Sequence, residues 1–522
     1  MKSKAIFRYI FLLPRLMPVQ GHVDVVISRP SEKNANVAPS ELTPMTVMSP
    51  LSDGGEETAS SSRKTPFKNT RTGLYKGRQS ALLAHAILGC STQLGGAWPG
   101  AATPKEQQAS VGRIYIVIVD SKTIAAALDA DQLLKEAAEI SGLSDFGDPH
   151  SIEALRAMVK CFAQDIRVDA GGLNTLRNTT IRHLVNRARF ARDIALHPEI
   201  LDEDVSDPII ILGQPRSGTT KTHRMMGVDP NLLKTYMWQL TNPAPFPDAE
   251  PGKPDPRIAA ARFQDELIVA SETNEALRAG HLYGSEEVQA DIMLFGMTFN
   301  CKAWSTGRVP SASYYEYTKS RTIPSDLDNY KYVKSLLQYL QWQQGGRRGR
   351  RWLMKQEHSH GFLDEVLTVW PKATLAYLHR DPRVSIPSLI KLMLNFYKPV
   401  NPDVKAAEIA PLLIRRLVDM MNRYLEARDR LGLDDRIYDV PYEQIRSNPM
   451  PVFREIYRRA GHTLTPQSEE LMLQYERANE QGKHGAHSYS LEQFGLTEEM
   501  IRRDFGAYME RFGAYIGRSI AA

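Results

Sequence analysis

The sequence of 522 residues has few cysteines and, beyond its first residues, no long apolar run. Its three cysteines, Cys90, Cys161 and Cys301, are far apart and odd in number, which excludes a zinc-ligand spacing and a disulfide framework. No later stretch is apolar for long enough to cross a bilayer. We therefore expect unpaired thiols, a reducing compartment and no stable membrane span.

Clustered positive charge is also missing from most of the chain. Residues 1–112 hold 13 Lys and Arg against 7 Asp and Glu, a net charge of +6, which leaves −1 of the total +5 for the rest. Nucleic-acid-binding domains usually carry a basic patch or stripe. The charge distribution therefore argues against nucleic acid as a partner.

The N-terminal region does not have the pattern of a folded domain. Its first residues form a short apolar run that Arg8 interrupts and Pro14 ends, which is a poor signal peptide. Residues 20–112 are rich in Ser, Thr, Pro, Gly, Asn and Lys and show no helical or strand period. We predict a low-complexity, largely disordered N-terminal extension over residues 1–112, and a cytoplasmic protein.

Regular patterns begin near residue 126, where a helical lead-in over 126–205 is predicted. Four β-branched or apolar runs are predicted as strands: PIIILG (208–213), RWLMKQ (351–356), TLAYLH (374–379) and RIYDV (436–440). Strands separated by helices indicate a parallel sheet covered on both faces, with ligands at the carboxyl ends of the strands. We predict a three-layer α/β domain of the P-loop type over 126–522, with a nucleotide-binding core from residue 208.

The first strand leads into the loop GQPRSGTT, residues 213–220, and then into a helical pattern. Gly218 permits close approach of the backbone to a ligand, and the N–H groups of Ser217 to Thr220 can form an anion nest at the helix N-terminus. Arg216 adds a planar cation that can hold an oxyanion through two hydrogen bonds. The pattern predicts a phosphate-binding loop.

This loop lacks the lysine of nucleotide hydrolases, because Thr219 occupies its place in the pattern G-x4-G-K-[ST]. No acidic residue closes an apolar strand as a magnesium-holding residue would, since Asp381 lies between an arginine and a proline. Kinases and nucleotide hydrolases use both groups to offset charge on the phosphoryl group. A kinase or hydrolase with a displaced lysine is therefore the weaker alternative.

The segment PIIILGQPRSGTT resembles the 5′-phosphosulfate loop of the sulfotransferase superfamily, in the Arg-containing form of its tyrosylprotein and bacterial branches. HRDPRVSIPS (379–388) resembles the 3′-phosphate motif, and VPYEQIRSNP (440–449) and HSYSLEQFGL (487–496) resemble further landmarks of the large bacterial branch. The resemblance covers roughly residues 130–522. It implies transfer of a sulfuryl group from 3′-phosphoadenosine 5′-phosphosulfate to a hydroxyl group, without a metal.

The resemblance also implies roles for individual residues. The 5′-phosphosulfate would be held by Arg216, Ser217, Gly218, Thr219 and Thr220, and the 3′-phosphate by Arg380 and Ser388. Lys355 would stabilise the oxygens of the reacting sulfate. The Gly- and His-rich segment 482–489 indicates a flap that brings Lys483 near a phosphate. The acceptor would be a small molecule, a glycan or a lipid.

The chain departs from the superfamily pattern near the expected acceptor. KQEHSH (355–360) replaces Lys-Ser-Pro-x-His, and Trp238-Gln239 replaces a Trp-Glu pair whose glutamate is the base in related branches. Because the acceptor hydroxyl must lose a proton, the candidate bases are His223, Glu357, His358 and His360. We place His223 and His358 with Arg216 and Lys355 in the catalytic set. Helix packing for His223, a loop-start role for His358 and His360, and a non-catalytic nucleotide-binding protein are the alternatives.

Two further expectations concern the surroundings of the site. If the strand continued to residue 360, His358 and His360 would face the same side. Six prolines in segment 238–256 predict an extended chain over the site, without helix. Four aromatic residues either line the acceptor pocket or belong to the core: Trp304, Tyr314, Tyr315 and Tyr317.

Overall fold

The computed structural model describes residues 118–250, 252–270, 284–301, 309–322, 325–398, 400–401, 403–479 and 490–517. The extension 1–112, Trp304 and Lys483 lie outside these described residues, so what was expected of them stays a prediction. In the described part of the chain, no helix is long and apolar enough to cross a membrane.

From residue 118 on, four helices of the described chain precede the sheet: α1 (Ser121–Ala127), α2 (Ala130–Ser141), α3 (Pro149–Asp165) and α4 (Ala170–Leu196). Each follows an aspartate whose carboxylate accepts a backbone N–H of the first turn, namely Asp120, Asp129, Asp148 and Asp169. An aspartate at this position satisfies an N–H group that has no partner within the helix, and its charge complements the helix dipole. These caps explain where the helices begin.

A five-stranded sheet with the order β2-β3-β1-β4-β5 forms the centre of the fold. Its strands are β1 (Ile209–Gly213), β2 (Leu232–Leu233), β3 (Arg351–Lys355), β4 (Thr374–His379) and β5 (Ile437–Pro441), and all neighbours are parallel. Four strands are the predicted runs, whereas β2 has only two residues and leaves no pattern. Because β1 is central, the loops after β1, β3 and β4 leave one edge of the sheet around a common crevice.

Helices cover both faces of this sheet. They are α5 (Thr219–Gly227), α6 (Met237–Thr241), α7 (Pro256–Ala270), α8 (Ala312–Ser320), α9 (Asp326–Gln343), α10 (Leu363–Val369), α11 (Pro382–Tyr397), α12 (Ala406–Arg430), α13 (Tyr442–Ser447), α14 (Met450–Ala460), α15 (Pro466–Ala478), α16 (Glu498–Arg511) and α17 (Gly513–Ile516). Short 3₁₀ turns occur at Pro198–Asp202, Asp291–Thr298, Ser359–Phe362 and Glu492–Phe494.

The two faces of the sheet pack into separate apolar clusters, because side chains alternate along each strand. Ile210 and Met354 face a large cluster that includes α9, α10 and α12. Ile211 and Leu353 face a smaller cluster built with α5, α14 and α15. The predicted three-layer α/β fold with a central parallel sheet is confirmed.

The Pro-rich segment 238–256 differs from the prediction at its start. Residues 238–241 belong to α6, because the first proline of the segment, Pro243, comes only after this turn and so removes none of its hydrogen bonds. The prediction of a segment without helix was therefore wrong for its first four residues.

Two of the aromatic residues considered for the acceptor pocket are buried on α8. The hydroxyl group of Tyr314 donates to the carbonyl oxygen of Phe299 at 2.9 Å, and that of Tyr315 donates to Asp419 at 2.6 Å. Because both rings are fully buried, they belong to the core.

Candidate active site

The loop after β1 turns at two residues with positive φ. Arg216 has a φ of 73° and Gly218 a φ of 93°, and both values lie in the left-handed region. A Cβ atom on Gly218 would lie 3.2 Å from Cδ2 of Tyr442, the first residue of α13. Glycine is therefore required here both by the backbone conformation and by the close approach of α13.

Helix α5 begins directly after Gly218, and no side chain caps its N-terminus. The first backbone N–H groups of a helix have no partner within it, so an uncapped N-terminus suits a phosphate or sulfate oxyanion. Ser217 turns inward, and its Oγ donates to the carbonyl oxygen of Gln214 at 2.7 Å. The side-chain Nε2 of Gln214 is buried and has no hydrogen-bond partner in the described chain. The loop thus leaves donors for an oxygen-bearing ligand.

Thr219 and Thr220 form the first turn of α5. The side chain of Thr219 is buried, whereas Thr220 is partly exposed. The two threonines therefore bring their backbone N–H groups to the sheet edge on a well-packed helix.

Three side chains predicted to bind phosphate groups meet at this loop. Nε of Arg216 donates to Oγ of Ser388 at 3.0 Å, and Nη1 of Arg380 donates to the carbonyl oxygen of Arg216 at 2.6 Å. The guanidinium group of Arg380 also lies 4.1 Å from the ring centre of Tyr442. No carboxylate of the described residues pairs with Arg380. The structure thus joins the two predicted motifs in one cationic site.

Lys355 ends β3 on the face that α5 covers. Its Nζ pairs with Oε1 of Glu357 at 3.1 Å, and both side chains are largely buried. The second carboxylate oxygen of Glu357, Oε2, is buried and has no hydrogen-bond partner among the described residues. The turn after β3 therefore carries an ion pair with one unpaired carboxylate oxygen.

His223 connects α5 to β3. Its Nε2 lies 3.4 Å from the carbonyl oxygen of Leu353 and must carry a proton to donate to it. Burial, and to a lesser extent the charge of Lys355, lower the pKa of His223 to about 3, so the ring is neutral. This placement matches the helix-packing alternative.

The contact between His223 and Leu353 also gives the position of Lys355 along the strand direction, relative to α5. His223 is about 6 Å along α5 from Thr219, and Lys355 is about 7 Å along β3 from Leu353, given 1.5 Å per helical residue and about 3.3 Å per strand residue. Because α5 runs antiparallel to the strands, Lys355 lies level with the N-terminus of α5. The Lys355–Glu357 pair and the phosphate-binding loop therefore share the sheet edge.

The two histidines after β3 do not face one side, because the strand ends at Lys355 and a 3₁₀ turn follows. Nδ1 of His360 lies 2.6 Å from the carbonyl oxygen of Glu357, and its ring packs edge-on against Tyr377. Nδ1 of His358 lies 3.2 Å from Nη2 of Arg416. Burial lowers the pKa of both rings, that of His360 to about 4.

A small pocket with a cavity volume of ≈ 30 Å³, partly open to solvent, lies beside this turn. Its walls include the apolar side chains of Ile292, Phe295, Phe362 and Met420 together with the polar groups of His358 and Arg416. The lining combines mostly apolar side chains with a few polar groups, which is the composition typical of small-molecule sites.

Comparison with known proteins connects this geometry to a family. Residues 208–466 match the model of the family described as "Sulfotransferase family". The chain belongs to the sulfotransferase superfamily. It is similar to the omega-hydroxy-beta-dihydromenaquinone-9 sulfotransferases Stf3 of Mycobacterium bovis and Mycobacterium tuberculosis, with 23% identity over 311 residues that cover 59% of this chain and 75% of each relative.

Two solved structures are also similar to this sulfotransferase. STF9 from Mycobacterium avium has 27% sequence identity and a TM-score of 0.65, and the match covers 73% of this chain and 96% of that chain. STF1 from Mycobacterium tuberculosis has 24% identity and a TM-score of 0.59, over 72% and 98% of the chains, and supports the fold alone. The prediction of a bacterial-type sulfotransferase is confirmed.

The two departures from the superfamily pattern have structural roles in this sulfotransferase. Oε1 of Gln239 accepts the backbone N–H of Tyr236 at 3.1 Å and so caps α6, as a glutamate at the third helical position also would. Gln356 donates to Asp291 and accepts from Ser359, whose Oγ accepts from the hydroxyl group of Tyr330. Burial raises the pKa of Asp291 to about 7. Gln356 and Ser359 therefore belong to a buried polar network.

Three further features of the site were missed by sequence reasoning. Tyr442 contacts both the loop glycine and Arg380, Asp291 anchors the turn after β3, and Arg416 lies in the pocket wall. Two of them leave a sequence signal. Tyr442 belongs to the segment 440–449 that resembles a superfamily landmark, and helical spacing places Arg416 on the same face as Leu412, Leu413 and Met420. In the described ranges, no group of three or more His, Cys, Asp and Glu side chains is placed to hold a metal ion.

Proposed function

We propose that this sulfotransferase transfers a sulfuryl group from 3′-phosphoadenosine 5′-phosphosulfate to a hydroxyl group of its acceptor. The observation that carries the proposal is the meeting of Arg216, Arg380 and Ser388 at the uncapped N-terminus of α5. Two guanidinium groups and a helix end suit a ligand with two separate anionic groups. The buried Nε2 of Gln214 adds a donor that lacks a protein partner.

Different protein groups would bind the two anionic groups of the nucleotide. Arg216 and the backbone N–H groups of Ser217, Gly218, Thr219 and Thr220 would hold the 5′-phosphosulfate. Arg380 and Ser388 would hold the 3′-phosphate. Because Arg216 contacts both Ser388 and Arg380, the residues proposed for the 5′-phosphosulfate adjoin those proposed for the 3′-phosphate.

A bound phosphosulfate nucleotide supplies a sulfuryl group whose bond to the 5′-phosphate oxygen breaks as the acceptor oxygen bonds to sulfur. Lys355 is suited to stabilise the negative charge that develops on the oxygens around sulfur, since it lies level with the N-terminus of α5 and is largely buried. A cation in such a site acts more strongly than in water because little solvent screens it.

We assign the proton acceptor to Glu357 rather than to His223 or His358. Lys355 orients one oxygen of the Glu357 carboxylate and leaves the other unpaired, as a general base requires. Nδ1 of His358 accepts from Arg416, so the ring keeps its proton on Nε2. His223 packs beneath β3, and the amide of Gln239 cannot accept a proton.

The test combines donor binding with transfer. We expect adenosine 3′,5′-bisphosphate to raise the melting temperature of the protein, and ATP with Mg²⁺ to leave it unchanged. Incubation with 35S-labelled donor and fractionated polar and lipid extracts should give a labelled product. Protection by ATP with Mg²⁺ alone would favour the kinase or hydrolase alternative, and tight donor binding without transfer into any fraction would favour a non-catalytic protein.

The acceptor should be sought among small molecules and lipids with a free hydroxyl group. The names of the curated relatives describe sulfation of a hydroxylated menaquinone, so a hydroxylated lipid belongs in the screen. The mostly apolar pocket that His358 lines favours an acceptor with an apolar body over a free sugar.

A further inference from the structure

Arg416 is a buried cation without an anionic partner. It is only 3% exposed, although it lies in the wall of the pocket. Its Nη2 donates to the neutral ring of His358, and its Nε has no hydrogen-bond partner in the described part of the chain. No carboxylate of the described residues forms an ion pair with it. A guanidinium group in this state is costly to bury, because desolvation is not offset by an opposite charge.

The neighbouring charged groups are already paired. The carboxylate of Asp326, which also lines the pocket, lies 3.7 Å from Arg423, and that of Glu357 is bound by Lys355. The adjacent Arg415 is 47% exposed and pairs with Glu316 at 3.0 Å. Arg416 therefore differs from its neighbours in both burial and lack of a carboxylate.

The surroundings of Arg416 suit an amphipathic ligand. Ile292, Phe295, Phe362 and Met420 provide an apolar wall, and the guanidinium group provides one cationic point within it. Glu357 directly precedes the pocket residue His358, and its charge acts on Arg416, so the pocket lies near the proposed base.

We propose that Arg416 binds the anionic group of the acceptor, and that the acceptor is therefore a hydroxy acid with an apolar body. The anion supplies the charge that the protein does not, and the apolar wall contacts the hydrocarbon part. The identity of the ligand as acceptor rests on the proposed function. The binding of an organic anion at Arg416 does not.

The test compares a carboxylate with its neutral analogue by titration calorimetry. The probes are 3-(4-hydroxyphenyl)propionate and 3-(4-hydroxyphenyl)propan-1-ol, and inorganic sulfate and phosphate distinguish an organic anion from a simple ion site. Wild-type protein should bind the propionate on the order of tenfold to a hundredfold more tightly than the alcohol, as charge-assisted hydrogen bonds predict. R416M should lose this preference, R416K should retain part of it, and R415M, at the exposed neighbouring position, should keep all of it.

Each sample is also titrated with adenosine 3′,5′-bisphosphate, which reports separately on the donor site and on folding. R416M should bind this nucleotide as the wild type does, and its melting temperature should not fall, because an uncompensated buried charge has been removed. Equal binding of propionate and alcohol to the wild type, an unchanged preference in R416M, or binding of sulfate and phosphate alone would overturn the proposal. Arg416-dependent binding of the propionate supports the anion site whatever the donor titration shows.

Discussion

Replacement of Arg380 by alanine removes two contacts that the structure places on one guanidinium group. One is the 2.6 Å hydrogen bond to the carbonyl oxygen of Arg216, and the other is the contact 4.1 Å above the ring of Tyr442. In our proposal it also removes a charge-assisted bond to the 3′-phosphate. The bond to the 3′-phosphate contributes about 1.5–3 kcal/mol to binding, and the support that the two contacts within the protein give to the loop adds about 0.5–1 kcal/mol, so the total is roughly 2–4 kcal/mol.

The assay is the dissociation constant of two nucleotides measured by calorimetry. For adenosine 3′,5′-bisphosphate, R380A should raise Kd roughly 30- to 700-fold, which is 2–4 kcal/mol at about 1.4 kcal/mol per tenfold. Adenosine 5′-monophosphate lacks the 3′-phosphate, so only the support of the loop is lost. For this nucleotide we expect about a fivefold rise, equivalent to about 1 kcal/mol.

The comparison between the nucleotides decides the assignment. An equal rise for both would show that Arg380 supports the loop and does not bind the 3′-phosphate. An unchanged Kd for the bisphosphate would refute the reasoning altogether. Arg502 is a suitable control, because it is exposed on α16 and pairs with Glu498, so R502A should change neither constant.

Three other outcomes are expected. E357Q should lower kcat roughly 10²- to 10⁴-fold while the Kd for adenosine 3′,5′-bisphosphate stays the same, because a proton acceptor is lost; an unchanged kcat would exclude Glu357 as the base. G218V should abolish nucleotide binding, since its side chain would meet Tyr442 and resist the φ of 93°, whereas retained binding in calorimetry would contradict the close-approach argument. His223 stays neutral to about pH 3 in the folded protein but gains a proton near pH 6.5 when unfolded, so its contribution to stability is complete above pH 6.5 and declines as the pH falls. Between pH 8 and pH 5 the free energy of urea unfolding should fall about 2 kcal/mol further for the wild type than for H223Q, and parallel declines would disprove this.

The strands and the turn from β1 into α5 could be predicted because their signals are local. The run from Ile209 to Gly213 is apolar at every position, as a strand buried on both faces requires, and the glycine pattern of the loop follows directly. β2 could not be found, because two residues carry no period. The helical turn of α6 was hidden by the prolines that follow it.

The acceptor side was harder to predict because its groups come together only in three dimensions. The alternation of side chains along a strand predicted that His358 and His360 face one side. This alternation holds only while the strand continues, and β3 ends at Lys355. The partner of His358 is Arg416, which is 58 residues away in the chain. Residue type alone also favoured a histidine as base over Glu357, whereas the hydrogen-bond partners favour the carboxylate.

Tyr442 makes completion of the loop after β1 depend on the order in which the chain is synthesised. The residue follows β5, yet its ring contacts both Gly218 of the first βα turn and the guanidinium group of Arg380. A chain emerging from the ribosome therefore carries the complete phosphate-binding loop long before the side chain that closes over it. Nascent chains that end before α13 would contain the loop, Arg380 and Ser388, and would still lack the ring against which Gly218 and Arg380 are held.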